Sequence, residues 1–294
     1  MNIILVTFIM FVTVGVVSAV ILYFVAQKFK VYEDPRIDTV NDVLPAANCG
    51  GCGYAGCRNF AEALVNSDDI SSLFCPVGGN TVMMTVAQIL GKTVDTKDPL
   101  VAVVRCNGSF AHRSRTSIYD GASSCAIQHA LYTGDTDCPY GCLGCGDCAV
   151  SCKFDALAMN PETGLPLIND DKCTACGACV KACPRNIVEL CRKEKKNRRI
   201  FVSCVNKDKG GIARKYCAVA CTACTKCLKA CNYDAIRIEN NLAYIDAKAC
   251  KMCRKCSPEC ATNAILELNF PARKVTPVPE KEAAPVRPIM SDDE

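Results

Sequence analysis

The sequence of 294 residues has no tryptophan, and only 6% of its residues are aromatic. It has just two histidines, His112 and His129, and we expect neither of them to be a metal ligand. Charge of neither sign dominates, with 34 Lys and Arg against 30 Asp and Glu. No basic stripe interleaved with aromatic residues is present, which argues against nucleic-acid binding. In a chain so poor in aromatic residues, other groups must fill part of the hydrophobic core.

Cysteine is the residue that the chain has in excess. Its 26 cysteines are far above ordinary usage, and the chain is too long to be a small disulfide scaffold. Disulfides, zinc sites and iron–sulfur clusters are the three competing explanations. The cysteine spacing and the cellular compartment decide between them.

The first 28 residues predict a transmembrane anchor. Residues 3–25 are almost wholly apolar, and at about 1.5 Å per residue they span roughly 35 Å, enough to cross a bilayer. A cleaved signal peptide is the alternative, but no Lys or Arg precedes the run, and it is too long for such a peptide. Lys28 and Lys30 follow at once, which predicts a single-pass protein of the cytoplasmic membrane with its bulk on the cytoplasmic side. That compartment keeps thiols reduced, which disfavours disulfides.

The motif C-x₂-C-x₂-C-x₃-C occurs four times in the second half of the chain. Three cysteines at this spacing surround one face of a [4Fe–4S] cluster, and the fourth reaches the other cluster of a pair. Structural zinc sites instead use two separated cysteine pairs. The four copies are Cys142, Cys145, Cys148 and Cys152; Cys173, Cys176, Cys179 and Cys183; Cys221, Cys224, Cys227 and Cys231; and Cys250, Cys253, Cys256 and Cys260.

These copies resemble two tandem bacterial-type ferredoxin modules with two [4Fe–4S] clusters each. The resemblance implies that the fourth cysteine of each copy is exchanged within its module. The implied sets are Cys142, Cys145, Cys148 with Cys183; Cys173, Cys176, Cys179 with Cys152; Cys221, Cys224, Cys227 with Cys260; and Cys250, Cys253, Cys256 with Cys231. The proline that usually follows the fourth cysteine is kept only at Pro184.

A further group of cysteines precedes the modules, in the segment NCGGCGYAGC and after it. It comprises Cys49, Cys52, Cys57 and Cys75. Its glycines allow a tight loop around a bulky cluster. They also match a dinucleotide-binding fingerprint, but no strand precedes them, so that interpretation fails. The group resembles the four-cysteine Fe–S domain of corrinoid iron–sulfur proteins and membrane electron-transfer subunits, which implies a fifth cluster.

The predicted fold class is α+β, with one transmembrane helix, a small four-cysteine Fe–S domain and two ferredoxin modules. The predicted divisions are an anchor at 1–28, the four-cysteine domain at 29–95, a connecting region at 96–135, the first module at 136–192, the second at 193–268 and a disordered, Pro-rich tail at 269–294.

Six cysteines have no place in these five sets. They are Cys106, Cys125, Cys138, Cys191, Cys204 and Cys217. Aligning the modules puts Cys138 beside Cys217, and Cys106 or Cys125 beside Cys204. They are either buried thiols or loop remnants, or they hold a sixth cluster, or they replace a ligand such as Cys145 or Cys224.

The order of these parts resembles the B subunits of the Rnf complex, an ion-translocating ferredoxin:NAD⁺ oxidoreductase. The segments NCGGCGYAGC, PYGCLGCGDC and NKDKGGIARKYC carry the resemblance. It implies an electron-transfer subunit of a translocase, without a complete active site or catalytic residues, that takes electrons from soluble ferredoxin to other Rnf-type membrane subunits. A subunit of another membrane oxidoreductase, a redox sensor and a cluster-assembly scaffold are the alternatives.

Overall fold

A computed structural model of the chain describes residues 3–28, 34–131, 134 and 136–272. Lys30 of the predicted anchor flank and the part of the predicted tail from 273 onward lie outside the described residues. Helices and short strands are both present, as the predicted fold class requires.

The first helix, α1, runs over Ile3–Lys28 and is long and apolar enough to cross a membrane. It carries no charged residue before Lys28, and every described side chain along it is exposed. An apolar helix exposed on all sides leaves a large hydrophobic surface in contact with water, which a bilayer would cover.

Three helices follow and build a small core of their own. They are α2 (Arg36–Val43), α3 (Cys57–Asn66) and α4 (Gly79–Leu90). Phe60, Leu64 and Met83 are fully buried between them. The start of α3 is held by Asn48, whose Oδ1 accepts the Cys57 N–H at 2.8 Å. Helix α4 ends at Gly91 in the left-handed conformation, φ 64°, which a glycine adopts without strain.

The rest of the chain forms two units of the same plan, each with an outer antiparallel strand pair and an inner hairpin. The first unit contains β1 (Leu100–Val104), α5 (Cys125–Leu131), α6 (Asp147–Val150), β2 (Leu157–Met159), β3 (Pro166–Ile168), α7 (Ala178–Ala182) and β4 (Val188–Arg192). Here β1 pairs with β4, and β2 pairs with β3. Strand β1 comes from the predicted connecting region, so in the structure the first unit begins before residue 136.

The second unit repeats this arrangement after a short 3₁₀ turn at Lys195–Asn197. It contains β5 (Arg199–Val202), α8 (Gly210–Tyr216), α9 (Lys226–Lys229), β6 (Ile236–Glu239), β7 (Leu242–Ile245) and β8 (Ile265–Leu268). Strand β5 pairs with β8, and β6 pairs with β7. Each two-stranded sheet is too small to be stable alone. The cysteines pack into the same hydrophobic clusters as the aliphatic side chains.

The two units are joined by a buried polar network. Arg105, only 8% exposed, donates to Glu189 Oε2 at 3.0 Å and to the Val202 carbonyl at 3.1 Å. The hydroxyl of Tyr244 donates to the other Glu189 oxygen at 2.6 Å. Burial and the neighbouring Glu189 carboxylate raise the pKa of Tyr244 to about 12, so the phenol keeps this proton. The network therefore connects β4 of the first unit with β7 of the second.

Replacing Tyr244 by Phe should weaken the association of the units. The ring is kept, but a hydrogen bond to a carboxylate is lost, which should lower the free energy of unfolding by about 1.5 kcal/mol. Urea unfolding of the anaerobically purified chain, followed by circular dichroism, measures the change. The control is Tyr233→Phe at a 46% exposed tyrosine, for which we expect a change within about 0.5 kcal/mol. Equal effects of the two substitutions would contradict the role of the network.

Candidate iron–sulfur sites

The four-cysteine group before the repeats lies at the edge of the helical core. Cys52, Cys57 and Cys75 pack in its hydrophobic cluster, and the thiol of Cys75 lies near those of Cys52 and Cys49. The N–H of Gly51 points at Cys49 Sγ, 3.5 Å away, and that of Gly78 at Cys75 Sγ, 3.3 Å away. Burial raises the pKa of the Cys75 thiol. The structure thus brings the predicted group together with N–H donors to its sulfurs.

In the first unit, one cavity of about 360 Å³ has the predicted cysteines around it: Cys152, Cys173, Cys176 and Cys179. The N–H of Ala102, in β1, lies 3.5 Å from Cys173 Sγ. Burial, followed by the neighbouring thiols, raises the pKa of Cys179 to about 11. This set includes the exchanged fourth cysteine that the ferredoxin resemblance implied.

The other cavity of the first unit differs from the prediction at one position. It has about 400 Å³ and is lined by Cys142, Cys148, Cys183 and Cys125, whereas Cys145 does not line it. The thiol of Cys145 instead donates to the buried Gln128 Oε1 at 3.3 Å.

Asp147 explains how Cys125 comes to this cavity. Its carboxylate Oδ2 accepts the Ser124 hydroxyl at 2.9 Å and the Ala126 N–H at 3.1 Å. These bonds fix the first turn of α5 beside the ligand loop, with Cys125 between the two bonded residues. The spacing of the motif cysteines does not predict this arrangement. The only sequence signal for it is Asp147, a residue type that caps helix starts, but its partners Ser124 and Ala126 are about twenty residues away, so the signal is weak.

The second unit gathers both of its predicted sets. A cavity of about 310 Å³ is lined by Cys231, Cys250, Cys253 and Cys256. In the other set, burial raises the pKa of Cys227 to about 11, and the thiols of Cys221, Cys260 and Cys224 add to the shift. The N–H of Ala243 lies 3.5 Å from Cys221 Sγ, and that of Ala264 lies 3.2 Å from Cys260 Sγ.

The four ligand loops share one backbone conformation. The second and fourth residues after the first cysteine have positive φ in every copy: Gly144 and Gly146, Ala175 and Gly177, Ala223 and Thr225, and Met252 and Arg254. Left-handed residues that alternate with others turn successive N–H groups toward an anion. Two of these N–H groups, those of Gly144 and Met252, donate to the first cysteine of their loops.

These sites fit clusters better than single metal ions. A zinc ion binds its thiolates at about 2.3 Å, so the sulfurs must converge on one point. Among the described residues, no three His, Cys, Asp or Glu side chains converge in that way. Instead, the thiols line separate cavities, with N–H groups directed at the sulfurs. The donor set is the all-thiolate one that [4Fe–4S] clusters require.

Neighbouring sites lie close together within each unit and between the first unit and the four-cysteine group. A Cβ on Gly51 would be 2.9 Å from the Cys176 carbonyl oxygen, so the four-cysteine loop touches the Cys173–Cys179 loop through a glycine. The thiols of Cys148 and Cys179 are near neighbours in the first unit. Those of Cys227 and Cys256 are near neighbours in the second.

Comparison with known proteins agrees with this geometry. Residues 44–76 match a family model described as a putative Fe-S cluster, and residues 139–190 match a 4Fe-4S dicluster domain. The chain is 41% identical over 251 residues to the B subunit of the Na(+)-translocating ferredoxin:NAD(+) oxidoreductase complex of Acetobacterium woodii, covering 85% of this chain and 74% of that protein.

Two further relatives match over a similar share of the chain. The B subunit of the proton-translocating ferredoxin:NAD(+) oxidoreductase complex of Clostridium ljungdahlii is 39% identical, covering 90% of this chain and 93% of that protein. The B subunit of the ion-translocating oxidoreductase complex of Methanosarcina acetivorans is 37% identical, covering 85% of this chain and 93% of that protein. The family predicted from the sequence motifs is confirmed: the chain belongs to the B subunits of the Rnf complex, and it is an electron-transfer subunit with [4Fe–4S] clusters.

Proposed function

We propose that this chain accepts electrons from reduced ferredoxin and delivers them to the membrane subunits of an ion-translocating ferredoxin:NAD⁺ oxidoreductase. The names of its relatives support the overall reaction. The observation that carries the proposal is the series of neighbouring cysteine sites: two lie together in each unit, and the four-cysteine group touches the first unit at Gly51. A sensor or an assembly scaffold has no need for such a row.

We propose two ferredoxin modules and five ligand sets, with one change from the sequence prediction. Cys125 takes the place of Cys145, because of these two cysteines only Cys125 lines the cavity with Cys142, Cys148 and Cys183. The sets are Cys49, Cys52, Cys57 and Cys75; Cys152, Cys173, Cys176 and Cys179; Cys125, Cys142, Cys148 and Cys183; Cys221, Cys224, Cys227 and Cys260; and Cys231, Cys250, Cys253 and Cys256. A bound [4Fe–4S] cluster accepts and releases one electron at a time.

In this chemistry the protein positions the clusters and tunes their reduction potentials. Hydrogen bonds from N–H groups to the ligand sulfurs favour the more negative, reduced state. No acid, base or nucleophile is needed on this chain. The ion path belongs to partner subunits, because α1 has no charged side chain within its apolar run. Lys28 at its end supports a single-pass topology with the Fe–S domains on the cytoplasmic side, since basic residues favour that side.

The second unit is the better candidate for the receiving end. Cys224 and Cys253 are exposed, whereas the remaining cysteines are half-buried or buried. Exposed lysines flank these two cysteines in and beside the same loops: Lys226, Lys229, Lys248, Lys251 and Lys255. A basic surface beside an exposed ligand suits an acidic electron donor, since complementary charge steers its approach. Ferredoxin of acidic character fits that description.

Reversing the charge of this surface should weaken the use of ferredoxin. In the intact complex, the double variant Lys226→Glu with Lys251→Glu should raise the KM for ferredoxin about tenfold at low salt, and the effect should shrink as salt is added. Ferredoxin-dependent NAD⁺ reduction measures it. The control Lys172→Glu changes an exposed lysine of the first unit and should leave KM unchanged. An equal effect of the control would place ferredoxin elsewhere.

The membrane end of the row is tested by Cys49→Ala. Loss of that ligand should abolish ferredoxin-dependent NAD⁺ reduction by the intact anaerobic complex, because the last site before the membrane subunits is lost. The clusters of both repeat units should still be reduced by ferredoxin, as followed by electron paramagnetic resonance. Full NAD⁺ reduction by this variant would show that electrons leave the chain by another route.

Cys125→Ser and Cys145→Ser separate the two possible ligands of the first unit. Cys125→Ser should release about four iron atoms per chain or change the spectrum of one cluster, because a sulfur at the cavity is lost. Cys145→Ser should keep both the iron and the spectrum, because Cys145 does not line the cavity. Iron analysis and electron paramagnetic resonance provide the readout. The reverse pattern would restore the spacing-based assignment of Cys145.

A further inference from the structure

Four cysteines outside the five sets surround a cavity between the two units. They are Cys106, Cys138, Cys204 and Cys217, which are distant in sequence and converge on one space of about 410 Å³. The space here, open solvent included, is similar to that at the proposed ferredoxin sites, which have 310 to 400 Å³ on the same measure. The two other cysteines outside the sets do not line it: Cys191 lies in β4 opposite Val101, and Cys145 donates to Gln128.

Each unit supplies one matched pair of these cysteines. Cys106 is two residues past the end of β1, and Cys204 is two residues past the end of β5. Cys138 and Cys217 each stand four residues before the first ligand of their unit's cysteine loop. Equivalent positions of the two units therefore face each other across the cavity.

The sulfurs of Cys106 and Cys217 lie on the same side of the loop that follows Cys106. That loop passes the cavity at Gly108, where a Cβ would lie 3.5 Å from Cys217 Sγ and 3.6 Å from Cys106 Sγ. Both sulfurs are therefore in van der Waals reach of one loop residue, although they come from different units.

The hydrogen bonds to these sulfurs follow the pattern of the ferredoxin ligands. Cys138, Cys204 and Cys217 each accept the N–H of the second residue after them, as Cys142 and Cys250 do. The side chain of Asn206, 1% exposed, donates Nδ2 to Cys138 Sγ at 3.4 Å. A neutral thiol is a weak acceptor, so this many donors suit sulfurs that carry negative charge.

Positive charge is also provided around the cavity. Arg105 and Arg113 line it, and the guanidinium of Arg113 bonds the Cys142 carbonyl at 2.7 Å through Nη1. Its Nε is buried and has no hydrogen-bond partner within the part of the chain that the structure describes. A [4Fe–4S]²⁺ core with four thiolates carries a charge of about −2, which such groups stabilise in a buried place. Four neutral thiols would provide no counterion for the Arg113 guanidinium.

We propose that Cys106, Cys138, Cys204 and Cys217 hold a sixth [4Fe–4S] cluster between the two repeat units. A zinc ion with four thiolates is the competing occupant. Against it, no three of these thiols converge at single-ion distance among the described residues.

The position of this site gives it a function in the row. The Cys221 N–H donates to Cys204 Sγ, so the site touches the first ligand loop of the second unit. Arg113 connects it to the Cys142 loop of the first unit. Held there, the cluster takes one electron from one unit and gives one electron to the other. The direction, from the second unit to the first, rests on the proposed function; the existence of the site does not.

Iron and sulfide analysis of the anaerobically purified full chain tests the proposal directly. Six clusters give about 24 iron atoms per chain, and five give about 20. Cys106→Ser and Cys217→Ser should each lose about four iron atoms and one cluster signal, whereas the control Cys191→Ser should lose none. About 20 iron atoms in the unmodified chain, or one zinc ion lost with Cys217→Ser, would overturn the proposal.

Asn206→Asp provides a second test that removes no ligand. The aspartate can still accept the Asp208 N–H, which now bonds Asn206 Oδ1 at 2.7 Å, but it no longer donates to Cys138. Iron content should stay the same, while the reduction potential of one cluster falls. Unchanged potentials for all clusters would overturn the site. Iron content and potentials are independent of ferredoxin, so these outcomes are separate from any failure of the proposed function.

Discussion

The constraint on which this structure depends is that thiolate sulfurs must be held apart, around a space wide enough for a cluster and away from water. A hydrophobic core would normally close such a space. Here the short hairpins and the αL residues of the ligand loops keep it open, and the cysteines pack in the same clusters as Val, Leu and Ile. The folded state must therefore gain much of its stability from the bound clusters, because ligand binding and folding are coupled.

The duplicated unit explains how one chain arranges many such spaces in order. Each unit places two of them close together, and β1 and β5 bring additional cysteines to the surface where the units meet. Partly buried hydrogen bonds among Arg105, Glu189 and Tyr244 hold the two units together at that surface. The four-cysteine loop reaches the first unit through Gly51, where only a glycine allows the backbones to approach.

The sequence predicts what depends on local spacing and misses what depends on distant segments. The four C-x₂-C-x₂-C-x₃-C copies lead to all but one of the cysteines that line the cavities of the proposed ferredoxin sites, because these ligands lie in one loop and its partner. The role of β1 in the first unit could not be read, since its partner strand β4 is more than eighty residues away along the chain. The exchange of Cys145 for Cys125 depends on Asp147 holding α5, and the convergence of Cys106 with Cys217 depends on the packing of both units.

If the cysteine sites form one row from the second unit to the membrane end, electrons should fill them in that order. Rapid-freeze electron paramagnetic resonance of the intact complex, mixed with reduced ferredoxin, follows this filling. Signals of the Cys224 and Cys253 sites should appear first and that of the Cys49 site last, with those of the first unit between them. Reduction of the Cys49 site before either site of the second unit would contradict this order.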